Sequence, residues 1–163
     1  MKKVILALVA ILTLACNSNK KSMSQEKSEG QEKAISQENM ALISQGDLHG
    51  SGEEGIEAQQ TVVKSELQWN ELLRKMGTVN PVDGNLLETK IDFSKNYAIA
   101  LFDQVKGSGG HSIFIENVVT GENITVKYKK TSPDGLATSV MTQPYYIALI
   151  PKTDKKIVFE EVK

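Results

Sequence analysis

Residues 97–102 read Tyr-Ala-Ile-Ala-Leu-Phe, apolar from end to end, and residues 124–129 read Ile-Thr-Val-Lys-Tyr-Lys, apolar and polar by turns. The first pattern belongs to a central strand covered on both faces; the second belongs to a strand with one wet face. Working outward, His111–Thr120 carries Ile113 and Ile115 on one face, and Gly121-Glu122-Asn123 turns the chain into the alternating segment. Tyr145–Ile150 and Ile157–Val162 follow, joined by Pro151-Lys152-Thr153-Asp154. Upstream, Met40–Ser44 and Thr61–Lys64 are short apolar or β-branched runs on either side of a glycine-rich stretch. Consecutive strands with short turns imply antiparallel pairing. One helix interrupts them. Ser65 caps it with Gln68 as capping-box partner, Trp69, Leu72, Leu73 and Met76 share one face, and Gly77 ends it. The expected fold is mainly β, of the α+β class: an antiparallel β-sandwich or open barrel with one packed amphipathic helix.

The chain has 163 residues and a formal charge of −1, from 19 basic and 20 acidic side chains. That length suits one domain. All nine aromatic residues lie between Trp69 and Phe159, which places the core in the later two thirds. The charge balance gives no field to attract nucleic acid. One cysteine excludes an intramolecular disulfide, a redox pair and a cysteine zinc site.

That cysteine has a better use. Lys2 and Lys3 precede a 12-residue apolar run, Val4–Ala15, too short to span a bilayer at roughly 20 residues. Cys16 stands directly after Leu14-Ala15, an arrangement similar to a bacterial lipoprotein cleavage site, although Thr13 stands where leucine is commoner. Residues 1–15 are therefore expected to be a lipoprotein signal peptide and Cys16 the lipidated residue. Two or three acyl chains make a stable membrane anchor where one does not. By resemblance to Gram-negative lipoproteins, Asn17 after the cysteine implies the outer membrane, facing the periplasm, in a bacterial envelope. Residues 16–39 hold only Met23, Ala34 and Ile35 as apolar residues after the cysteine, which predicts a flexible tether. Residues 40–163 then form the folded domain, with 13 basic and 16 acidic side chains.

Catalytic and metal constellations are sparse. Gly107-Ser108-Gly109-Gly110 resembles the nucleophile motif of chymotrypsin-like proteases, and His49 with Asp83 or Asp92 precedes it in the matching order. Lys106 stands where that motif needs an aspartate, and the domain is about half the size of two β-barrels, so no catalytic serine is expected. The same loop lacks the third glycine of a dinucleotide-binding turn. Neither His49 nor His111 has a second ligand at a useful spacing, so neither metal nor cofactor is expected. Lys127, Lys129, Lys130, Lys152, Lys155 and Lys156 read as a solvated face that also blunts sheet edges. Two features exceed packing needs. Ser108, Gly109, Gly110 and His111 precede a strand with freedom for close backbone approach. Pro144, Tyr145 and Tyr146 open another strand, and adjacent tyrosines on opposite faces should leave one exposed. Together they make a candidate protein-contact surface.

The same residues carry a family resemblance. Ser108-Gly109-Gly110-His111-Ser112-Ile113, the strand pair to Val126, Pro133, and Gln143-Pro144-Tyr145-Tyr146-Ile147 through Ile150-Pro151-Lys152 resemble the C-terminal domain of PrcB-type protease-complex-subunit lipoproteins. Val62–Ser65 running into Gln68–Leu72 is similar to that family's strand and tryptophan-bearing helix. The resemblance covers about residues 43–162 and departs from the family where His111 replaces an aromatic residue. It implies a non-enzymatic, lipid-anchored accessory protein that supports assembly or stability of an exported protease. The alternative reading is a protease inhibitor presenting the 107–111 loop or a sheet edge.

Overall fold

The computed structural model describes Met40–Lys163 and, ahead of them, the backbone of Lys33–Ile35. The expected signal peptide, Cys16 and most of the expected tether lie outside the described residues. Lys33–Ile35 forms a short strand, β1, so this part of the tether pairs with the domain. Among the described residues no helix is long and apolar enough to cross a membrane.

Seven further strands follow: β2 (Ala41–Leu48), β3 (Gln59–Val63), β4 (Asn96–Phe102), β5 (Ser112–Thr120), β6 (Ile124–Thr131), β7 (Gln143–Pro151) and β8 (Ile157–Glu161). They build two four-stranded sheets. The first has the order β1-β5-β6-β8 and the second β2-β7-β4-β3, and neither closes into a barrel. The expected α+β, sandwich-like fold is therefore the observed one.

Three layers result. Helix α1 (Glu66–Met76) packs Trp69, Leu72, Leu73 and Met76 onto Ala98, Ala100, Phe102, Tyr145 and Ile147 of the second sheet. The other face of that sheet gives Ile99, Leu101, Tyr146, Ala148 and Ile150 to a core shared with Ile113, Ile115, Val118, Ile124, Val126 and Tyr128 of the first. This explains why residues 97–102 are apolar throughout: β4 and β7 are interior strands of the middle layer. Each fully buried Leu, Ile or Phe contributes ~1.5–3 kcal/mol of transfer free energy.

The helix begins as its sequence requires. The Ser65 hydroxyl accepts a hydrogen bond from the Gln68 N–H, 3.3 Å away. The Gln68 side chain reaches one residue further back than a standard capping box and accepts from the Lys64 N–H at 2.8 Å. The turn signals at 80–84 contain an unexpected short helix, α2 (Gly84–Glu88), capped by Asp83 and seated on buried Leu86.

One strand pairing departs from expectation. β8 does not form a hairpin with β7; it crosses to the first sheet and pairs parallel with β6. Both edges of β7 are already taken, by β2 and β4. The chain must therefore leave that sheet. The link is fastened where it lands, by the Ile124 N–H to Lys156 carbonyl bond of 2.8 Å.

Candidate functional site

The glycine-rich loop is not a hairpin turn. It carries the chain from β4 in one sheet to β5 in the other, and both ends are pinned. Lys106 and Thr142 exchange backbone hydrogen bonds at 2.7 and 3.0 Å. The Thr142 hydroxyl donates to the Ser108 carbonyl at 3.0 Å, and the Gly109 N–H donates to the Thr138 carbonyl at 3.0 Å. Gly110 has φ +82°, and a Cβ there would stand 3.0 Å from Pro133. Only glycine meets both conditions without strain.

Ser108 Oγ and His111 Nε2 are hydrogen bonded at 3.1 Å. His111, not His49, is thus the histidine beside this serine. The other imidazole nitrogen, Nδ1, is buried with no hydrogen-bond partner among the described residues. The pair clips the loop between Ser108 and His111. Asp83 and Asp92 are occupied elsewhere: Asp83 caps α2, and Asp92 accepts from the Ser94 N–H at 3.0 Å.

Beside this clip lies Asp47 of β2. Gln45 and Asp47 stand opposite Tyr146 and Pro144, so they share the face that looks toward the first sheet. Asp47 makes no ion pair among the described residues, and its Oδ1 is buried without a donor. Burial pushes its carboxyl above the usual carboxylate range; the nearby imidazoles of His49 and His111 only partly oppose this. A cleft of about 350 Å³ opens here. One wall is Gln45–Asp47, the other is His111–Phe114, and Tyr145 reaches it past the missing side chain of Gly46. A second hollow of about 240 Å³ borders the same β2 segment and Glu54, whose carboxylate caps the Gly50 N–H at 2.8 Å.

The tyrosine expectation needs correction. Tyr145 and Tyr146 are both buried, at 8% and 6% exposure, and Pro144 is fully buried. β7 is an interior strand with helix on one side and a sheet on the other, so alternation finds no open face. Tyr145 retains a polar role: its hydroxyl hydrogen bonds Ser44 Oγ at 3.1 Å. Tyr146 and Pro144 support the cleft from behind.

On the far side of Pro144 stands a second acidic residue, Asp103, whose N–H donates to the Pro144 carbonyl at 2.9 Å. Asp103 is 2% exposed, and each of its oxygens meets a lysine: Oδ2 lies 3.0 Å from Lys106 and Oδ1 lies 3.3 Å from Lys130. Lys130 also pairs with Glu161 at 3.2 Å. Burial alone would raise the Asp103 carboxyl. The Lys106 hydrogen bond, the Gln104 N–H and the Lys130 charge outweigh it and hold the group below the usual range. Gln143 completes this corner, donating to the Ile56 and Asp103 carbonyls at 2.8 and 3.0 Å.

The structure therefore brings His111, held by Ser108, and Tyr145 to one cleft and adds Gln45 and Asp47, which no local motif marks. The lysine run disperses: Lys130 is enclosed in the Asp103 network, Lys127 faces Glu160, and Lys155 donates to the Gly121 carbonyl. Among the described residues no three His, Cys, Asp or Glu side chains are grouped to hold a metal ion. The chain matches no family model, no curated protein and no solved structure.

Proposed function

We propose that this chain is a lipid-anchored accessory protein of the bacterial envelope that binds an extended polypeptide segment of an exported partner protein. The cleft beside β2 supports this reading most directly. β2 is the outermost strand of its sheet, and among the described residues nothing pairs with its free edge. Gln45–Asp47 on that edge border the 350 Å³ cleft. An added strand gains main-chain hydrogen bonds from such an edge, while an adjoining hollow selects one of its side chains. The pinned loop supplies a rigid opposite wall, which lowers the ordering cost of binding.

The resemblance to protease-complex subunits makes an exported protease the partner class to test. A photo-cross-linking residue replacing Gln45 in the full chain should capture such a protease, and the same residue on exposed Leu136 should not. Capture from both positions, or from neither, would remove the reading. The free edge also favours the inhibitor alternative, because proteases hold their substrates as extended strands. Proteolytic turnover separates the two. An accessory subunit prolongs the lifetime of the enzyme without blocking it, whereas an inhibitor lowers turnover in proportion to occupancy. A Cys16→Ser chain should leave the membrane fraction if lipidation is the anchor.

A further inference from the structure

We infer that the cleft between Gln45–Asp47 and His111–Phe114 is a receptor for a basic side chain, so that the extended segment it accepts carries a lysine or arginine at the position facing Asp47. The inference rests on the strand-addition reading above and names the chemistry of its ligand.

The argument is one of complementarity. Among the described residues Asp47 is the only carboxylate lining this cleft, and no lysine or arginine lines it. Asp47 is half-buried; among the described residues its buried Oδ1 has no donor, and the buried Nδ1 of His111 has no partner. Buried polar atoms in folded proteins are nearly always satisfied, so two unsatisfied atoms beside one opening are unusual. The molecule can compensate a buried carboxylate when it needs to, because Asp103 has two lysines. At half-buried Asp47 no lysine or arginine pairs among the described residues, and a cleft lies beside it. A ligand ammonium or guanidinium brings charge and N–H donors together, and partial burial strengthens the pairing relative to an exposed one. Apolar Ile113 and Phe114 on the opposite wall suit the methylene stem that such a side chain buries below its charge.

The test uses the full chain in detergent and three blocked peptides, acetyl-Thr-Val-Thr-Xaa-Thr-Val-Thr-amide, with Lys, Gln or Glu at the centre. Binding is followed by amide chemical shifts, which also locate the peptide. The lysine peptide should bind about tenfold more tightly than the glutamine peptide, with the glutamate peptide weakest, and shifts should centre on Gln45–Asp47. In Asp47→Asn the lysine peptide should fall to the level of the glutamine peptide, whose own affinity should not change. If all three peptides bind equally at β2, the basic-side-chain inference is wrong and strand addition stands. If none binds, or all bind away from β2, strand addition itself is wrong and the inference falls with it. The wild-type peptide series decides the matter even if the variant is unstable.

Discussion

Asp47 and Asp103 flank the same residue, Pro144, and face the same sheet, yet the molecule treats them oppositely. Asp103 is closed in by Lys106 and Lys130 and held below the ordinary carboxylate range. Asp47 has no cation among the described residues, and burial holds it above that range. One carboxylate fastens the two sheets together, since Asp103 follows β4 of the second sheet and Lys130 lies on β6 of the first. The other stands half-buried at a cleft. The fully buried carboxylate is compensated and serves architecture; the half-buried one is the residue on which the binding proposal rests.

Removing the compensated carboxylate gives the largest effect. Asp103→Asn should destabilise the protein by about 3 kcal/mol, because two lysines lose their counter-charge in a confined site. Urea denaturation measures it, and a loss under 1 kcal/mol would erase the distinction between the two residues. The sign with pH follows from the lowered value. Asp103 contributes stability above the unfolded carboxyl pKa near 3.8, and this is lost as pH falls through its lower folded value. Wild type should therefore show a steeper acid limb than Asp103→Asn.

Loop geometry comes next. Gly110→Ala places a side chain at φ +82° and against Pro133, and should cost about 1–2 kcal/mol. Loss of peptide binding beyond that explained by unfolding would show that the rigid wall matters to the cleft.

Asp47→Asn should act in the opposite sense to Asp103→Asn, raising stability modestly at neutral pH because solvent screens a half-buried carboxylate. Its raised pKa means that the native state holds a proton the unfolded chain has released. Stability is thus lost as pH rises from 3.8 through the folded value, and the full cost applies above it. Melting temperatures between pH 3 and pH 8 should converge for wild type and Asp47→Asn at the acid end and diverge toward neutrality. A destabilised Asp47→Asn would show that an unseen partner already compensates the charge. Ser108→Ala, which removes the bond to His111, should cost about 0.5–1.5 kcal/mol.

The layered fold was legible where burial writes itself into alternation. Residues 97–102 announced an interior strand, 124–129 a half-wet one, and the Trp69–Met76 stripe a packed helix. The crossing of β8 was not legible, because four turn-like residues after β7 look the same whether a chain turns back or changes sheet. The tyrosine expectation failed for a related reason: alternation tells that two residues point apart, not whether one of the faces is open. In the site, the Ser108–His111 spacing was visible in the chain. Asp47 and Asp103 were not, since their difference lies in where Lys130, a residue distant in sequence, comes to rest.

Strand β1 gives the molecule a direction. Lys33 pairs with Thr120 at the end of β5, and the paired strand runs toward Val118. The cleft is at the other end of β5, at Ser112–Phe114, roughly 20–25 Å away at 3.3 Å per residue. Cys16 lies 17 residues before Lys33, and 17 residues span at most ~60 Å. If Cys16 is the lipid anchor, the domain hangs from the membrane by the Thr120 end. Its cleft then lies at the end of β5 remote from that attachment, and those 17 residues limit how far the attachment point can stand from the bilayer. Lengthening the chain between Cys16 and Lys33 would raise that limit without touching the cleft.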